Sequence, residues 1–298
     1  MNFKEFQKLF PTQKSIIEHF IKIRYNHNFK CAHCGSKDIY TTYDKRKMQC
    51  PACKNTFSIF TGTIFEKSST DLKKWFYAIH LFLNGKKGIS ALQLQREIGT
   101  TYKTAWRMLR QIRLAMGNKK KKDDDDDDFM NTIIEIDETY CGGKESNKHL
   151  HKRTKNTQGR SVKTKTPVLG AVEREGKIIA KVVCDTKSKT IQPFVRKNIA
   201  ITAEVKTDQY HSYKPLAKLG YNHSTVDHGR KEFVNGNTHT NNLEGFWSQL
   251  KRSINGTYHF VSPKHLQTYV NEFAFRYNRR GEGMNLFNNL ISKVSTPC

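Results

Sequence analysis

The chain has 298 residues, enough for two or three domains, and 36% of them are hydrophobic, so it can bury substantial cores. Lys and Arg number 52 against 27 acidic residues, and the net charge of +25 favours a polyanionic partner such as nucleic acid; a ribosome-associated factor would be similarly basic. No apolar run approaches the roughly 18 residues of a membrane span, and the N-terminus lacks the apolar segment of a secretory signal. We therefore expect a cytoplasmic, nucleoid-associated protein with no membrane partner.

Residues 1–25 are predicted to form an N-terminal helical segment. Thr12 is a suitable N-cap for the stretch QKSIIEHFIKIRY. Apolar residues then recur at helical spacing along one face, at Ile16, Ile17, Phe20, Ile21 and Tyr25.

Residues 26–60 are predicted to form a zinc ribbon. Two CxxC pairs, separated by fifteen residues, supply four thiolates for a closed, structural Zn²⁺ site: Cys31, Cys34, Cys50 and Cys53. The stretch between the pairs predicts a β-hairpin, and NTFSIF predicts a third strand. A disulfide framework is the alternative, but nothing indicates secretion. His33 could also bind zinc, but the four cysteines already complete the set of ligands. Cys141, Cys184 and Cys298 lack the sequence spacing of metal ligands.

Residues 61–118 are predicted to be a helical, helix-turn-helix-like DNA-binding region. Ser69 or Thr70 can cap the first helix, and two further helices, starting at Ser90, meet at Gly99. The last helix carries basic residues that we expect to contact DNA, namely Lys103, Arg107, Arg110 and Arg113. The alternative is a packing helix with a solvated basic face.

Residues 119–128, KKKKDDDDDD, are predicted to be a charged linker. Four Lys and six Asp give this stretch a net charge of −2, and neither half has an apolar face to bury. An acidic segment that competes with DNA for a basic surface is the alternative.

Residues 129–285 are predicted to form an α/β catalytic domain, and residues 286–298 a C-terminal tail. Apolar runs predict three strands, a helix, a strand, a helix, a strand and a helix, in that order. This order indicates a mixed sheet with helices packed on it.

Three carboxylates fall on three separate elements of this domain. Asp137 and Asp208 end predicted strands, and Glu244 lies on a predicted helix. Clustered acids beside apolar strands are tolerable where a divalent cation binds, and oxygen ligands suit Mg²⁺ or Mn²⁺. Either Asp is an ordinary cap for a turn in the alternative interpretation, and Glu244 stands three residues after Asn241, as in a capping box. Asp227 and Glu232 are rival third acids.

Four segments carry a resemblance to a known family: EIDETYCGGKE, KTDQYHSY, NTHTNNLEGFWSQLKRSINGTYHFVSPKHL and NEFAFRYNRR. They resemble insertion-sequence transposases of the DDE superfamily, in the subgroup that has an N-terminal zinc ribbon and a ribonuclease H-like catalytic domain. The resemblance covers roughly residues 14–280. It implies a ribonuclease H-like mixed sheet with flanking helices, and double-stranded DNA partners in the form of element ends and target.

The resemblance also implies residue roles. Asp137 would bridge two metal ions, Asp208 and Glu244 would each hold one, and Lys251 would meet a DNA phosphate. Water would first cut the element end and free a 3′-OH, which would then attack target DNA. Since two ends must be held together, a homodimer or larger oligomer is expected.

Further DNA contacts are expected around these acids. The basic candidates are Arg252, Arg276, Arg279 and Arg280, and His239 and Asn242 would touch DNA or orient the third acid. Residues 149–165 are expected to be a mobile basic loop, and Trp247 is expected to be a core residue. Two other functions fit the sequence less well: a nuclease that only cuts, and a DNA-binding regulator without chemistry.

Overall fold

The structure is a computed structural model, and it describes residues 2–25, 30–31, 33–42, 47–117, 129–155, 157, 159, 161–226, 239–282 and 285–295. The chain divides into two compact units, one of Met1–Gly117 with Arg280–Cys298 and the other of Asn118–Arg279. The predicted linker and the rival acids Asp227 and Glu232 lie outside the described residues. Among the helices described, none combines the length and the apolar character that crossing a bilayer would require.

The first unit is built mainly from helices, in the order α1 (Phe3–Leu9), α2 (Gln13–Tyr25), α3 (Leu72–Asn84), α4 (Ala91–Ile98), α5 (Tyr102–Met116) and α10 (Asn285–Ser295). The α4–α5 pair is the predicted helix-turn-helix candidate. Ser90 caps α4, Gly99 ends it in the left-handed conformation with φ of 58°, and Thr101 caps α5. These local signals are those that the sequence predicted.

Two expectations for this unit differ from the structure. Neither Ser69 nor Thr70 caps α3, because the side chain of Asp71 accepts a hydrogen bond from the backbone N–H of Lys73. The expected C-terminal tail contains α10, which packs against α2, α3 and α5 and buries apolar side chains at Phe287, Leu290, Ile291 and Val294. The apolar period of this last segment was available in the sequence.

The predicted ribbon strands are present as a small antiparallel sheet in the order β1-β2-β3, with β1 at Tyr40–Thr42, β2 at Lys47–Gln49 and β3 at Thr56–Phe57. Met48 is fully buried at the centre of this sheet. Both CxxC pairs lie in turns outside these strands.

The second unit contains a five-stranded mixed sheet in the order β6-β5-β4-β7-β8. Its strands are β4 (Ile133–Cys141), β5 (Thr166–Glu173), β6 (Ile178–Val182), β7 (Glu204–Asp208) and β8 (Asn222–Val226). The pairs β4–β5 and β5–β6 are antiparallel, whereas β4–β7 and β7–β8 are parallel. The predicted mixed α/β sheet with flanking helices is confirmed.

Helices cover both faces of this sheet: α6 (Ser188–Asn198), α7 (Pro215–Lys218), α8 (Asn241–Ser253) and α9 (Pro263–Asn278). One core joins Ile134 and Ile136 of β4 to α6 and α7. The other core joins β5 and β6 to α8 and α9. Because side chains alternate along a strand, residues 135, 137 and 139 of β4 face the α8 side.

Helix α9 lies along the outer strand β6 and bonds to its backbone. The Asn278 side chain accepts from the N–H of Ile178 at 2.7 Å and donates to its carbonyl oxygen at 3.0 Å. Three helical turns earlier, Gln267 accepts from the N–H of Val182 at 2.7 Å and donates to the carbonyl of Ala180 at 3.2 Å. These amides satisfy backbone groups that a sheet edge leaves unpaired.

Candidate active site

Asp137 and Asp208 lie on the neighbouring parallel strands β4 and β7. Glu135 of β4 pairs with Lys206 of β7 as the last pair of this ladder, and each Asp follows its paired residue by two positions. Because side chains alternate along a strand, both Asp side chains point to the same face. Asp208 ends its strand as predicted, but β4 continues to Cys141, so the expectation that Asp137 ends a strand is wrong.

Glu244 lies in the first turn of α8, with its side chain exposed. The helix begins at Asn241 with Thr240 as its N-cap, so Glu244 is the fourth helical residue and not the third. Its carboxylate accepts a long hydrogen bond of 3.4 Å from the Thr240 hydroxyl. The capping-box interpretation, which needs Asn241 as the cap, does not describe this helix start.

The three acids repel one another. Burial, and then the charges of Glu138, Asp208 and Glu244, raise the pKa of Asp137 to about 7. Among the described residues, the three acids do not form a compact group of metal-ligand atoms like that of the ribbon cysteines. An all-oxygen donor set with unfavourable mutual charge fits a hard divalent cation such as Mg²⁺.

Trp247 connects α8 to the first acid. Its indole N–H donates a hydrogen bond of 3.1 Å to Oδ2 of Asp137. The ring is 4% exposed, as expected of a core residue, but its polar edge faces the candidate site. Trp247 follows Glu244 by three residues, and this i, i+3 spacing was the signal for a shared helix face.

Gly170 makes room for this indole. It pairs with Asp137 across β4 and β5. A Cβ atom placed on Gly170 would stand 2.7 Å from Cζ2 of Trp247 and 3.1 Å from Cδ1 of Leu243. The absence of a side chain at this position is therefore what allows the ring to lie flat on the sheet beside Asp137.

Glu135, which the sequence analysis did not single out, fixes the start of α8 to β4. Its carboxylate is fully buried and accepts hydrogen bonds from the Asn242 side chain at 2.9 Å, from the Asn242 backbone at 3.0 Å and from the Leu243 backbone at 3.3 Å. Arg174 Nε donates at 2.9 Å, and His239 Nδ1 lies 3.2 Å away. An acid at a helix N-terminus is favourable because it accepts unpaired backbone N–H groups. Glu135 shares a strand face with Asp137, and period 2 could have identified it.

Lys251 of α8 lies beside the Cys141 end of β4, whereas Glu135 lies near the other end of that strand. It is exposed, two turns after Glu244 on α8, and its charge reaches the thiol of Cys141. Burial raises the pKa of that thiol to about 11, and the Lys251 charge acts in the opposite direction. Helix α8 therefore runs alongside β4 in the same direction, from Glu135 past Asp137 to Cys141.

Glu138 lies on the opposite face of β4 from Asp137. It is 7% exposed and accepts a hydrogen bond of 2.6 Å from the hydroxyl of Tyr213. Burial and the neighbouring carboxylates, Glu138 first, hold the pKa of Tyr213 well above its usual value, so the phenol remains a donor. A second negative charge thus stands directly behind the candidate site.

The four ribbon cysteines form a second cluster. The Sγ atoms of Cys31 and Cys53 are 3.7 Å apart, those of Cys34 and Cys50 are 3.5 Å apart, and all four lie within 4.8 Å of one another. These are free thiols at metal-ligand spacing, not disulfides. A set of four sulfur ligands fits structural Zn²⁺. His33 is not a member of the cluster, and Cys298 lies outside the described residues.

The predicted DNA-contacting residues have different surroundings. Lys103, Arg107 and Arg110 are exposed on α5. Arg113 is 3% exposed and lies over the ring of Phe82 at 5.3 Å, so the expectation that it faces DNA is wrong.

Near the C-terminal end of α9, two predicted phosphate contacts have partners within the protein. Arg276 bonds to the fully buried Glu272 at 3.1 Å, and Arg279 lies over the ring of Phe275 at 5.3 Å. Arg252 and Arg280 are exposed. Asn242 and His239 both lie against Glu135.

Both the sheet-bearing unit and the cysteine segment match known protein families. Residues 129–278 match the family described as ISXO2-like transposase domain, and residues 11–56 match the transposase zinc-ribbon domain. An uncharacterized protein in transposable element ISH50 of Halobacterium salinarum is 28% identical over 283 residues, which cover 90% of this chain and 92% of that protein. A transposase-like protein of Haemophilus influenzae is 26% identical over 102 residues, or 34% of this chain and 81% of that protein. No solved structure matches.

Proposed function

Because the chain belongs to the family of ISXO2-like transposases, we propose that it binds the ends of its own insertion sequence, cuts them and joins them to target DNA. The observation that carries the proposal is the placement of Asp137, Asp208 and Glu244 on β4, β7 and α8, close enough for their charges to raise the pKa of Asp137. Both reactions are phosphoryl transfers, in which water and then the freed 3′-OH displace an oxygen at phosphorus.

In this proposal Asp137, Asp208 and Glu244 would hold two Mg²⁺ or Mn²⁺ ions. Bound ions of this kind activate the attacking oxygen and neutralise charge at the phosphoryl group. Asp137 must lose its proton to serve as a ligand, and its pKa of about 7 places that event near neutral pH. The hydrogen bond from the Trp247 indole to Oδ2 orients the Asp137 carboxylate.

Glu135 and Lys251 have supporting roles in the proposal. By fixing the start of α8 against β4, Glu135 sets the position of Glu244 relative to the two Asp residues. Lys251, exposed two turns later, receives a DNA phosphate beside the site. The exposed cations of α5 add sequence-independent attraction for the duplex, which weakens as the salt concentration rises.

The four-cysteine cluster is proposed to bind one structural Zn²⁺.

On DNA, the protein is proposed to act as a homodimer or larger oligomer, because two ends must be joined together. Light scattering of the protein bound to end DNA measures this: a complex with one chain per end pair contradicts the oligomer.

The decisive experiment is a Mg²⁺-dependent cleavage and strand-transfer assay on DNA that carries the sequences flanking the gene. Wild type is compared with Glu244→Gln and with Glu175→Gln, which alters an exposed acid in the β5–β6 turn. We expect cutting and joining to be lost only in Glu244→Gln, with end binding retained. Cutting without joining in wild type would identify a nuclease, and binding without chemistry would identify a regulator.

A further inference from the structure

A cavity of about 400 Å³ opens beside the Cys141 end of β4. One wall is the turn that follows this strand, including Lys144 and Lys148, and another is the segment of residues 260–266. Its size is that of a site for a small molecule or a single nucleotide. The catalytic machinery proposed above makes no use of it.

The wall at residues 260–266 is anchored by Tyr258, which precedes it in the chain. The hydroxyl of Tyr258 bonds to both carboxylate oxygens of the fully buried Glu272, at 3.1 and 3.2 Å. His259 then turns the chain with φ of 58°, and Phe260 is left 71% exposed at the cavity. An anchored backbone thus presents an exposed aromatic ring face, on which a flat partner can stack.

The opposite wall is held by a close approach of two backbones. Gly142 has φ of 156°, and a Cβ there would stand 2.9 Å from the carbonyl oxygen of Thr164. Thr164 is one of the lining residues, and its hydroxyl is buried with no hydrogen-bond partner among the described residues. A buried hydroxyl in this state favours a ligand that brings a hydrogen-bonding group.

The lining combines three kinds of chemistry. Val261, Pro263 and Leu266 are apolar, Phe260 offers a ring face, and Lys144 carries positive charge. Lys148 is paired at 2.6 Å with Glu145, which also lines the cavity. A flat, largely uncharged heterocycle with polar edges and an attached phosphate complements all three.

We propose that this cavity receives one unstacked nucleobase of the DNA end, with its ring against Phe260 and its polar edge toward Thr164. The inference rests on the proposed function, which supplies the DNA. Cys141 is four residues beyond Asp137 on β4, or about 13 Å along the strand. At a rise of about 3.4 Å per nucleotide, the base lies within about four positions of the scissile phosphate.

The test compares DNA ends that carry one change at each of the first five positions on either side of the cut. At every position one substrate has a mismatch, which removes the cost of unpairing the base, and another has an abasic site, which removes the base itself. Binding is measured for wild type, for Phe260→Ala, and for Ile201→Ala as a matched truncation of another exposed apolar side chain in the same unit.

We expect one position at which a mismatch tightens binding by wild type severalfold. There Phe260→Ala should bind the mismatched end about tenfold more weakly than wild type, but bind the abasic end equally well. Ile201→Ala should match wild type throughout.

Two results would overturn the inference while leaving the proposed function intact. One is tight binding with no position at which a mismatch matters. The other is an equal loss with Phe260→Ala on all ends, abasic ones included, because this would make Phe260 a general DNA contact. Failure of wild type to bind any end would remove the proposed function, and the inference with it.

Discussion

The indole N–H of Trp247 donates a hydrogen bond of 3.1 Å to the carboxylate of Asp137, and this bond joins α8 to the central strand of the sheet. The same helix carries Glu244 three residues earlier. One contact therefore couples the orientation of the first acid to the position of the third. A hydrogen bond donated to a carboxylate also favours its charged form.

Replacing Trp247 with Phe should move the activity profile to higher pH. Phe keeps an aromatic ring, although a smaller one, and the donor to Asp137 is lost, so the pKa of Asp137 should rise above its present value of about 7. A hydrogen bond to a charged group is worth about 1.5 kcal/mol, which corresponds to about one pH unit. The cleavage rate against pH at limiting Mg²⁺ measures this shift. Trp106→Phe, at an exposed indole on α5, should leave the midpoint unchanged; an unmoved midpoint in Trp247→Phe would contradict the prediction.

Asp137→Asn should stabilise the fold at pH 8 while abolishing cleavage. The pKa of Asp137 is raised from 3.8 to about 7, so the folded state holds a proton that the unfolded chain releases. Wild-type stability should therefore fall as the pH rises from about 4 to 7, by at most about 4 kcal/mol, and then level off. Asn cannot lose a proton and escapes this loss.

Thermal unfolding without added Mg²⁺ at pH 4, 6 and 8 measures that difference, which should be smallest at pH 4. Adding Mg²⁺ should raise the melting temperature of wild type and not that of Asp137→Asn, because a ligand that binds only the folded state stabilises it. Equal Mg²⁺ shifts in both proteins would argue against Asp137 as a ligand.

Gly170→Ala should destabilise the second unit by about 1 to 3 kcal/mol, because the new methyl group would overlap the Trp247 ring. The ring must move, so activity should fall as well. Gly245→Ala is the matched control: it lies on α8 beside Glu244, and a Cβ there meets nothing within 4 Å. That change should stabilise the helix by up to about 1 kcal/mol. Urea unfolding distinguishes the two, and equal effects would contradict the packing argument.

Glu135→Gln should cost about 2 to 4 kcal/mol of stability, because it leaves Arg174 without its charged partner in a buried site. The amide also brings a donor against the Asn242 side chain. With α8 less firmly placed, half-maximal cleavage should require more Mg²⁺. Glu175→Gln, at an exposed turn position, should stay within about 0.5 kcal/mol of wild type. Lost stability with an unchanged Mg²⁺ requirement would limit Glu135 to a structural role.

Cys31→Ser should remove zinc from the protein and unfold the ribbon. A structural zinc site needs all four thiolates, and its metal contributes directly to folding. The metal content per chain and protease sensitivity of residues 26–60 report the loss. Cys184→Ser alters an exposed thiol outside the cluster and should keep its zinc. Full zinc content in Cys31→Ser would rule that thiolate out as a ligand.

Local signals predicted much of the architecture. The Ser90 cap, the Gly99 stop and the turn at Glu175 each specify a backbone geometry within a few residues, and each is present. The strand runs predicted the mixed sheet because nearly continuous apolar stretches indicate burial on both faces.

Tertiary partners account for what the sequence analysis missed. Arg113 was grouped with Lys103 by composition, but ten residues on a helix amount to 280° beyond full turns, so the two point in different directions. Leu114, eleven residues from Lys103, shares its face and is exposed. The role of Glu135 depends on its contacts with α8, a helix that begins more than 100 residues later. No local sequence pattern predicts that contact.

The side-chain amides of Gln267 and Asn278 form hydrogen bonds with the backbone of β6, and these bonds have a consequence for assembly. They fill the hydrogen-bonding positions through which a sheet edge recruits a further strand, from another copy of the protein or from a misfolded neighbour. In the proposed assembly of several chains on DNA, this side of the sheet is thereby protected against uncontrolled growth. Contacts between subunits are then directed to side-chain surfaces, where geometry and charge can select the correct partner.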